Sequence, residues 1–227
     1  MAENHEIAVD QQQARIRLLE TAERLFSEYG FAGASVRDIT GTANCNTAAV
    51  NYHFGNKENL YVEVYRRRIG WLRDLRVSAM KNVIAQENIT LEQILQAFAQ
   101  VYLEPLVDEV EGRRVIQLIM REMLNPHLPE GMLIRELFDP VDEVMRQALR
   151  KIYPEINEVQ AELCIFSVVG QLIQIVQMRK ILSTDTKPRL ELPDIPGLIE
   201  HVVNLSAAGI RFLVLEGKKA CTPDGQR

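Results

Sequence analysis

One short stretch concentrates hydrogen-bonding side chains without a carboxylate among them: Thr47, Asn51, Tyr52 and His53, spaced by the small residues Ala48 and Ala49. On a helix, Val50 and Phe54 stand four apart and point one way, which leaves Thr47, Ala48, Asn51 and Tyr52 on the opposite stripe. Such a face fits a DNA major groove about 12 Å wide, where amide and hydroxyl groups read base edges or bind phosphate oxygens. Lys57 follows at the start of the next helix, within reach of a phosphate, as are backbone amides at helix N-termini. Between Ser35 and Lys57 the one acid is Asp38, opposed by Arg37 and Lys57, a local balance of +1. On spacing alone, a three-helix packing unit with solvated polar residues explains the stretch equally well.

Other chemistry is not supported. His5, His53, His127 and His201 have no metal-ligand spacing to one another or to Cys45, Cys164 and Cys221. No glycine-rich phosphate loop or G-x-S-x-G elbow occurs. Cys164 sits in an apolar helix, where an inert structural thiol is expected. We expect no enzyme, no cofactor and no metal.

These residues need helices to position them, and nearly every segment has helical period, with no alternating strand. Ile16, Leu19, Ala22, Leu25, Phe26 and Tyr29 make an apolar stripe, predicting a first helix over about 13–29, ended by Gly30 as a left-handed cap. Ser35-Val36-Arg37-Asp38 has the form of a capping box opening a short second helix, with Val36 and Ile39 inward. Ala43-Asn44-Cys45-Asn46 reads as a tight turn: Asn44 tolerates a left-handed backbone, Cys45 is small enough to bury, and Asn46 is a good N-cap. Gly55 ends the third helix, and Asn56 caps a fourth over about 57–85. Helix, short helix, tight turn, short helix is the helix-turn-helix arrangement. Further helices are expected near 90–109, 112–125, 131–152, 156–182 and 196–216, with breaks at 125–129 and 183–196. The first proline is Pro105.

Composition bounds the class. Of 227 residues, 47% are hydrophobic and 25% charged, enough for a sizeable core. The net charge of −5 argues against binding nucleic acid through bulk charge. Residues 1–70 hold eight Lys/Arg against nine Asp/Glu, so any DNA contact must rest on local geometry. No uncharged apolar run reaches the roughly 18 residues of a membrane span. The acidic start, MAENHEIAVD, is not a signal peptide. Three widely separated cysteines do not suggest a disulfide framework. The expectation is a reduced, cytoplasmic protein without membrane contact.

The run RIRLLETAERLFSEYGFAGASVRDITGTANCNTAAVNYHFGNKENLYVEVY resembles the DNA-binding domain of the TetR (tetracycline repressor) family of bacterial regulators, over about residues 12–72. Its marks are AERLFSEYGF closing the first helix, SVRDI opening the second, and YHFGNKENLY across the third and fourth. The form NYHFGNKENLY is further similar to the CecR-type subgroup. The resemblance implies an all-α chain: an N-terminal three-helix helix-turn-helix DNA-binding domain, then a helical ligand-binding and dimerisation domain. Expected bounds are a disordered tail over 1–12, a DNA-binding domain over 13–60 (motif about 35–54), a regulatory and dimerisation domain over 61–217, and a flexible tail over 218–227.

Carried onto this sequence, the family pattern makes Ser35 and Arg37 backbone contacts, puts Asn46, Thr47, Ala48, Asn51, Tyr52 and His53 on the recognition helix and its start, and makes Lys57 the phosphate-binding lysine. Asn44 and Cys45 replace the usual small Gly and apolar residue at the turn, and Thr47 stands where many relatives place a basic residue. The implied partners are a palindromic double-stranded DNA operator and a releasing small-molecule effector, so the chain would act as a repressor. It would pair as a homodimer through the apolar segments 156–182 and 196–216. Phe98, Tyr102, Met120, Met123, Phe166, Gln171, Gln174 and Met178 are candidates to line an effector pocket, although Met and aromatic residues at this spacing are more often core. The alternative is a helical ligand- or partner-binding module whose helix-turn-helix has lost DNA affinity. The acidic charge favours it; the intact 35–57 frame disfavours it.

Overall fold

Helix-favouring residues without an early proline give a chain that is helical throughout. A computed structural model describes residues 2–107, 111–182 and 193–220, and among these there are nine α-helices and no strand. The chain divides into two compact units: residues 1–72 with 108–137, and 73–107 with 138–227.

The first unit begins with α1 (Ala2–Gly33). Residues 2–12, expected as a disordered tail, are instead its opening turns. Their run of Ala, Glu and Gln contains no helix breaker, so the chain continues the period that follows. The buried stripe is Leu18, Leu19, Ala22, Leu25 and Phe26; Ile16 and Tyr29, expected inward, are 41% and 59% exposed. Gly30 has the expected positive φ (74°), but with ψ 179° it is no left-handed cap. This backbone is essentially reserved for glycine. It kinks the helix, which resumes for one more turn to Gly33.

The short helices α2 (Val36–Thr42) and α3 (Ala48–Phe54) follow, packed on α1 and on each other. Then comes the long α4 (Lys57–Ile84), which continues past the end of the first unit's opening segment and carries the half-exposed Trp71. The same unit includes α6 (Glu111–Leu124) and a π-helical turn, Ile134–Phe138. The regulatory domain is expected over 61–217; the compact units instead group 61–72 and 108–137 with the DNA-binding helices. The reason is a set of polar contacts between α6, α1 and α4, described below.

The second unit holds α5 (Leu91–Val107), α7 (Asp139–Ile152), α8 (Glu158–Leu182) and α9 (Ile195–Ala220), with the end of α4. α5 packs on α7, α8 and α9, and α8 on both α7 and α9. Their common core includes Met80, Ile94, Phe98, Leu103, Met145, Leu149, Ile165, Leu172 and Val202. Lys151 donates to the carbonyls of Ile84 and Gln86, closing the end of α4. Residues 218–220, expected in the flexible tail, are helical, and 221–227 lie outside the described residues. The expected break at 183–196 also falls largely outside them, although Ile195 and Pro196 already belong to α9.

α8 and α9 are apolar on more faces than one chain buries. Val159, Leu163, Phe166, Leu205, Phe212 and Leu213 are all about half exposed or more. Over 158–179 and 195–214 these helices are long and apolar enough to cross a membrane by length and composition, with mean hydropathy 1.7 and 1.3. The uncharged-run criterion misses them because isolated charges interrupt both stretches.

Candidate nucleic-acid interface

The helix-turn-helix is held by short-range polar contacts that its sequence specifies. The Ser35 hydroxyl accepts from the Asp38 amide at 3.1 Å, while the Ser35 amide donates to the Asp38 carboxylate at 3.2 Å, completing the capping box of α2. The Ser35 hydroxyl also donates to that carboxylate at 2.5 Å. These hydrogen bonds hold the Asp38 carboxyl below the usual range. The turn closes with Asn44 at φ 51°, and with Cys45 donating its amide to Thr40 at 2.9 Å. Cys45 is half-buried rather than fully enclosed. The Asn46 side chain accepts from the Ala48 amide at 2.9 Å, so it caps α3 although the helix itself starts one residue later than expected.

Val50 and Phe54 anchor α3 inward, at 0% and 7% exposure. Thr47, Ala48, Asn51 and Tyr52 are exposed, Tyr52 by 70%. His53 is half-buried: its ring packs edge-on against Tyr52 at 4.9 Å, and it lines an open cleft of about 280 Å³ with Arg15, Phe54, Asn59, Val62, Glu63 and Arg66. Asn56 accepts from the Asn59 amide at 2.7 Å and caps α4. The Lys57 ammonium lies 4.3 Å over the Phe31 ring, and burial pushes it down from its ordinary range, with Glu58 opposing. Arg37 is exposed and makes no ion pair among the described residues.

Several other arginines of this unit are tied to carboxylates. Arg15 pairs with Glu63 at 2.9 Å, Arg66 with Glu63 and Glu136, Arg67 with Glu20 at 3.8 Å, and Arg68 with the buried Glu23 at 2.5 Å.

A polar clamp that the sequence does not announce fixes α6 to these helices. Arg121 donates to the carbonyls of Ser27 and Glu28 at 3.0 and 2.6 Å, satisfying acceptors that the kink at Gly30 frees. Glu122, 4% exposed, accepts from Tyr61 at 3.0 Å and from the amides of His127 and Leu128 at 2.9 and 2.8 Å. Tyr65 donates to the Leu118 carbonyl at 2.5 Å. Burial raises both phenols well above their ordinary range and keeps them neutral. The signal that could have found the clamp is the register of α6: Val115, Leu118 and Glu122 form its inward stripe, and a charged residue on such a stripe passes for surface.

The candidate pocket residues are divided between the two units. Met120 and Met123 belong to the first unit, with Met123 57% exposed. Phe166 (57% exposed) and Gln174 face outward on α8. Phe98 and Tyr102 are buried against each other, ring centroids 5.7 Å apart. Gln171 is half-buried and donates to Ser206 on α9, while Met178 is half-buried further along α8.

Residues 18–64 match the family of bacterial regulatory proteins, tetR family, and residues 91–210 match the C-terminal domain of the HTH-type transcriptional dual regulator CecR. The chain belongs to the TetR family. Its carboxy-terminal domain is of the CecR type. Among curated TetR-type relatives, it is 39% identical over 122 residues to the HTH-type transcriptional dual regulator CecR of Shigella flexneri, covering 54% of this chain and 48% of that protein. It is 40% identical over 53 residues to the HTH-type transcriptional repressor AcnR of Corynebacterium glutamicum, covering 23% and 28%. The chain thus spans about half or less of the length of these curated relatives. A TetR-family transcriptional regulator from Mesorhizobium loti MAFF303099 shares the fold with a TM-score of 0.62 at 20% identity, over 89% of this chain and 97% of that one.

Proposed function

We propose that this TetR-family chain is a sequence-specific DNA-binding transcriptional regulator, a repressor that binds a palindromic operator as a dimer and is released by a small molecule. The observation that carries the reading is the outward face of α3. Thr47, Ala48, Asn51 and Tyr52 are exposed on a helix anchored by Val50 and Phe54, with no acid on that face. Asn51 offers the paired donor and acceptor that suit adenine, and the methyl of Thr47 suits thymine. Arg37, Lys57 and the first amides of α2 supply phosphate contacts, Lys57 from its place over Phe31. The Asn46 side chain contributes chiefly as the cap, and His53 by packing Tyr52 into place.

The half-exposed apolar faces of α8 and α9 support homodimerisation through 156–182 and 196–216, since contiguous exposed apolar patches mark association surfaces. A two-fold dimer presents its recognition helices to half-sites one helical turn or more apart.

The reading is tested by selecting bound sites from random or genomic DNA with purified protein, then footprinting the best. A protected near-palindrome with helical-turn spacing is expected. Absence of enrichment even at low salt would discard it in favour of a helical binding module with an idle helix-turn-helix. Salt dependence adds a second check, because phosphate contacts make affinity fall steeply with salt.

A further inference from the structure

Arg76 lies on α4 within the second unit and is only 3% exposed. Its guanidinium carbon sits 3.7 Å over the Tyr102 ring, and its Nε has no hydrogen-bond partner. No carboxylate among the described residues lies within ion-pair distance of it. Arg76 is also hydrogen-bonded to the Tyr102 side chain, on which Asp142 of α7, itself 9% exposed, acts as well. Arginine cannot shed its proton, and buried charges are ordinarily paired. The unit therefore encloses a cation with an aromatic face beneath it, an open donor at Nε, and the apolar side chains of Met80 and Phe98 in the surrounding core.

We propose that Arg76 and Tyr102 anchor an organic monoanion, a carboxylate on an apolar body, inside the regulatory unit. The side-on fork of a guanidinium, Nε with a terminal nitrogen, matches the two oxygens of a carboxylate. A single positive charge matches a single negative one, and the neighbouring core favours an apolar body over a hydrated inorganic ion. The occupant supplies the counter-charge that no carboxylate among the described residues places beside Arg76. This deepens the reading of the chain as a ligand-responsive regulator and rests on it for its regulatory meaning, although the anion site stands or falls on binding alone.

The test uses purified full-length protein without DNA, titrated with 4-phenylbutyrate, with its uncharged counterpart 4-phenylbutan-1-ol, and with inorganic phosphate, followed by calorimetry and thermal unfolding. The carboxylate is expected to raise Tm and to bind at least tenfold more tightly than the alcohol, and phosphate to leave Tm unchanged. Arg76→Met, which removes the charge but fills the space, is expected to lose the carboxylate response while being no less stable than the wild type without ligand. Arg76→Lys keeps a charge but not the fork, and is expected to bind the carboxylate several-fold more weakly. Equal binding of carboxylate and alcohol, a phosphate response matching that of the carboxylate, undiminished binding by either variant, or an Arg76→Met protein destabilised in the absence of ligand would each overturn the proposal. Operator binding is measured separately: a protein that takes the carboxylate but selects no DNA site leaves the anion site standing and removes the regulator reading. An operator-binding protein indifferent to the carboxylate does the reverse.

Discussion

Replacing Glu122 by Ala should damage the first unit more than any surface change. The wild-type carboxylate accepts three hydrogen bonds, from the Tyr61 hydroxyl and from the amides of His127 and Leu128, at 2.8 to 3.0 Å. Hydrogen bonds to a charged acceptor contribute roughly 1.5–3 kcal/mol each, and a buried donor left without a partner loses about 1–3 kcal/mol. The simple sum overshoots, because water enters the vacated space and the two amides share one oxygen. Breaking a buried charged network typically destabilises by about 3–5 kcal/mol, a large part of the roughly 5–15 kcal/mol that holds a protein folded. Urea unfolding followed by circular dichroism, with the slope of the transition unchanged, gives the value directly. Tyr61→Phe, made alone and together with Glu122→Ala, completes a double-mutant cycle with an expected coupling of about 1–2 kcal/mol. A loss below about 1 kcal/mol, or strictly additive effects, would refute the claim that Glu122 fixes α6 to α4.

Asn51→Ala and Tyr52→Ala should each weaken operator binding by about 1–3 kcal/mol in gel-shift titrations, without moving Tm, because both side chains are exposed; wild-type binding by either would remove α3 from the interface. Lys57→Ala should weaken binding to all sequences alike and reduce the slope of log K against log salt by about one. Asp142, pushed up to about 6 chiefly by burial, binds a proton more tightly folded than unfolded. Stability should therefore fall as pH rises from about 4 through 6, by about 1–2 kcal/mol after discounting for solvent screening, and the slope should vanish in Asp142→Asn. If the proposed dimer forms through α8, Phe166→Glu, a charge placed on its exposed face, should leave a folded monomer in sedimentation experiments at concentrations where the wild type sediments as a dimer.

Local grammar is legible wherever it is enforced within a few residues. The Ser35–Asp38 box, the left-handed Asn44 and the Asn56 cap depend on one side chain and one or two nearby amides, so residue type and spacing suffice. Periodicity locates every long helix to within a few residues, apart from the opening turns of α1 and the start of α7, expected at 131 and found at Asp139 after the π-helical turn. It does not reveal which helices share a core. The 108–137 segment joins α1 and α4 through Arg121 and Glu122, contacts with partners 61 to 94 residues away in sequence. The register of α6 places Glu122 on its inward stripe but does not name these partners. Nor does periodicity reveal that Met120 and Met123 belong to one unit and Phe166 to the other. The pairing of Arg76 with Tyr102 is equally invisible, since a lone arginine between Leu75 and Val77 reads as surface.

Arg15, Arg66, Arg67 and Arg68 of the first unit are paired with glutamates, and Asp38 keeps its negative charge at the start of α2. Affinity for arbitrary duplex scales with the number of phosphates a protein neutralises. Each such pairing lowers what that arginine offers to a phosphate, so in the proposed operator-binding role unrelated chromosomal sequence would compete less, and a smaller number of molecules per cell would fill a genuine site.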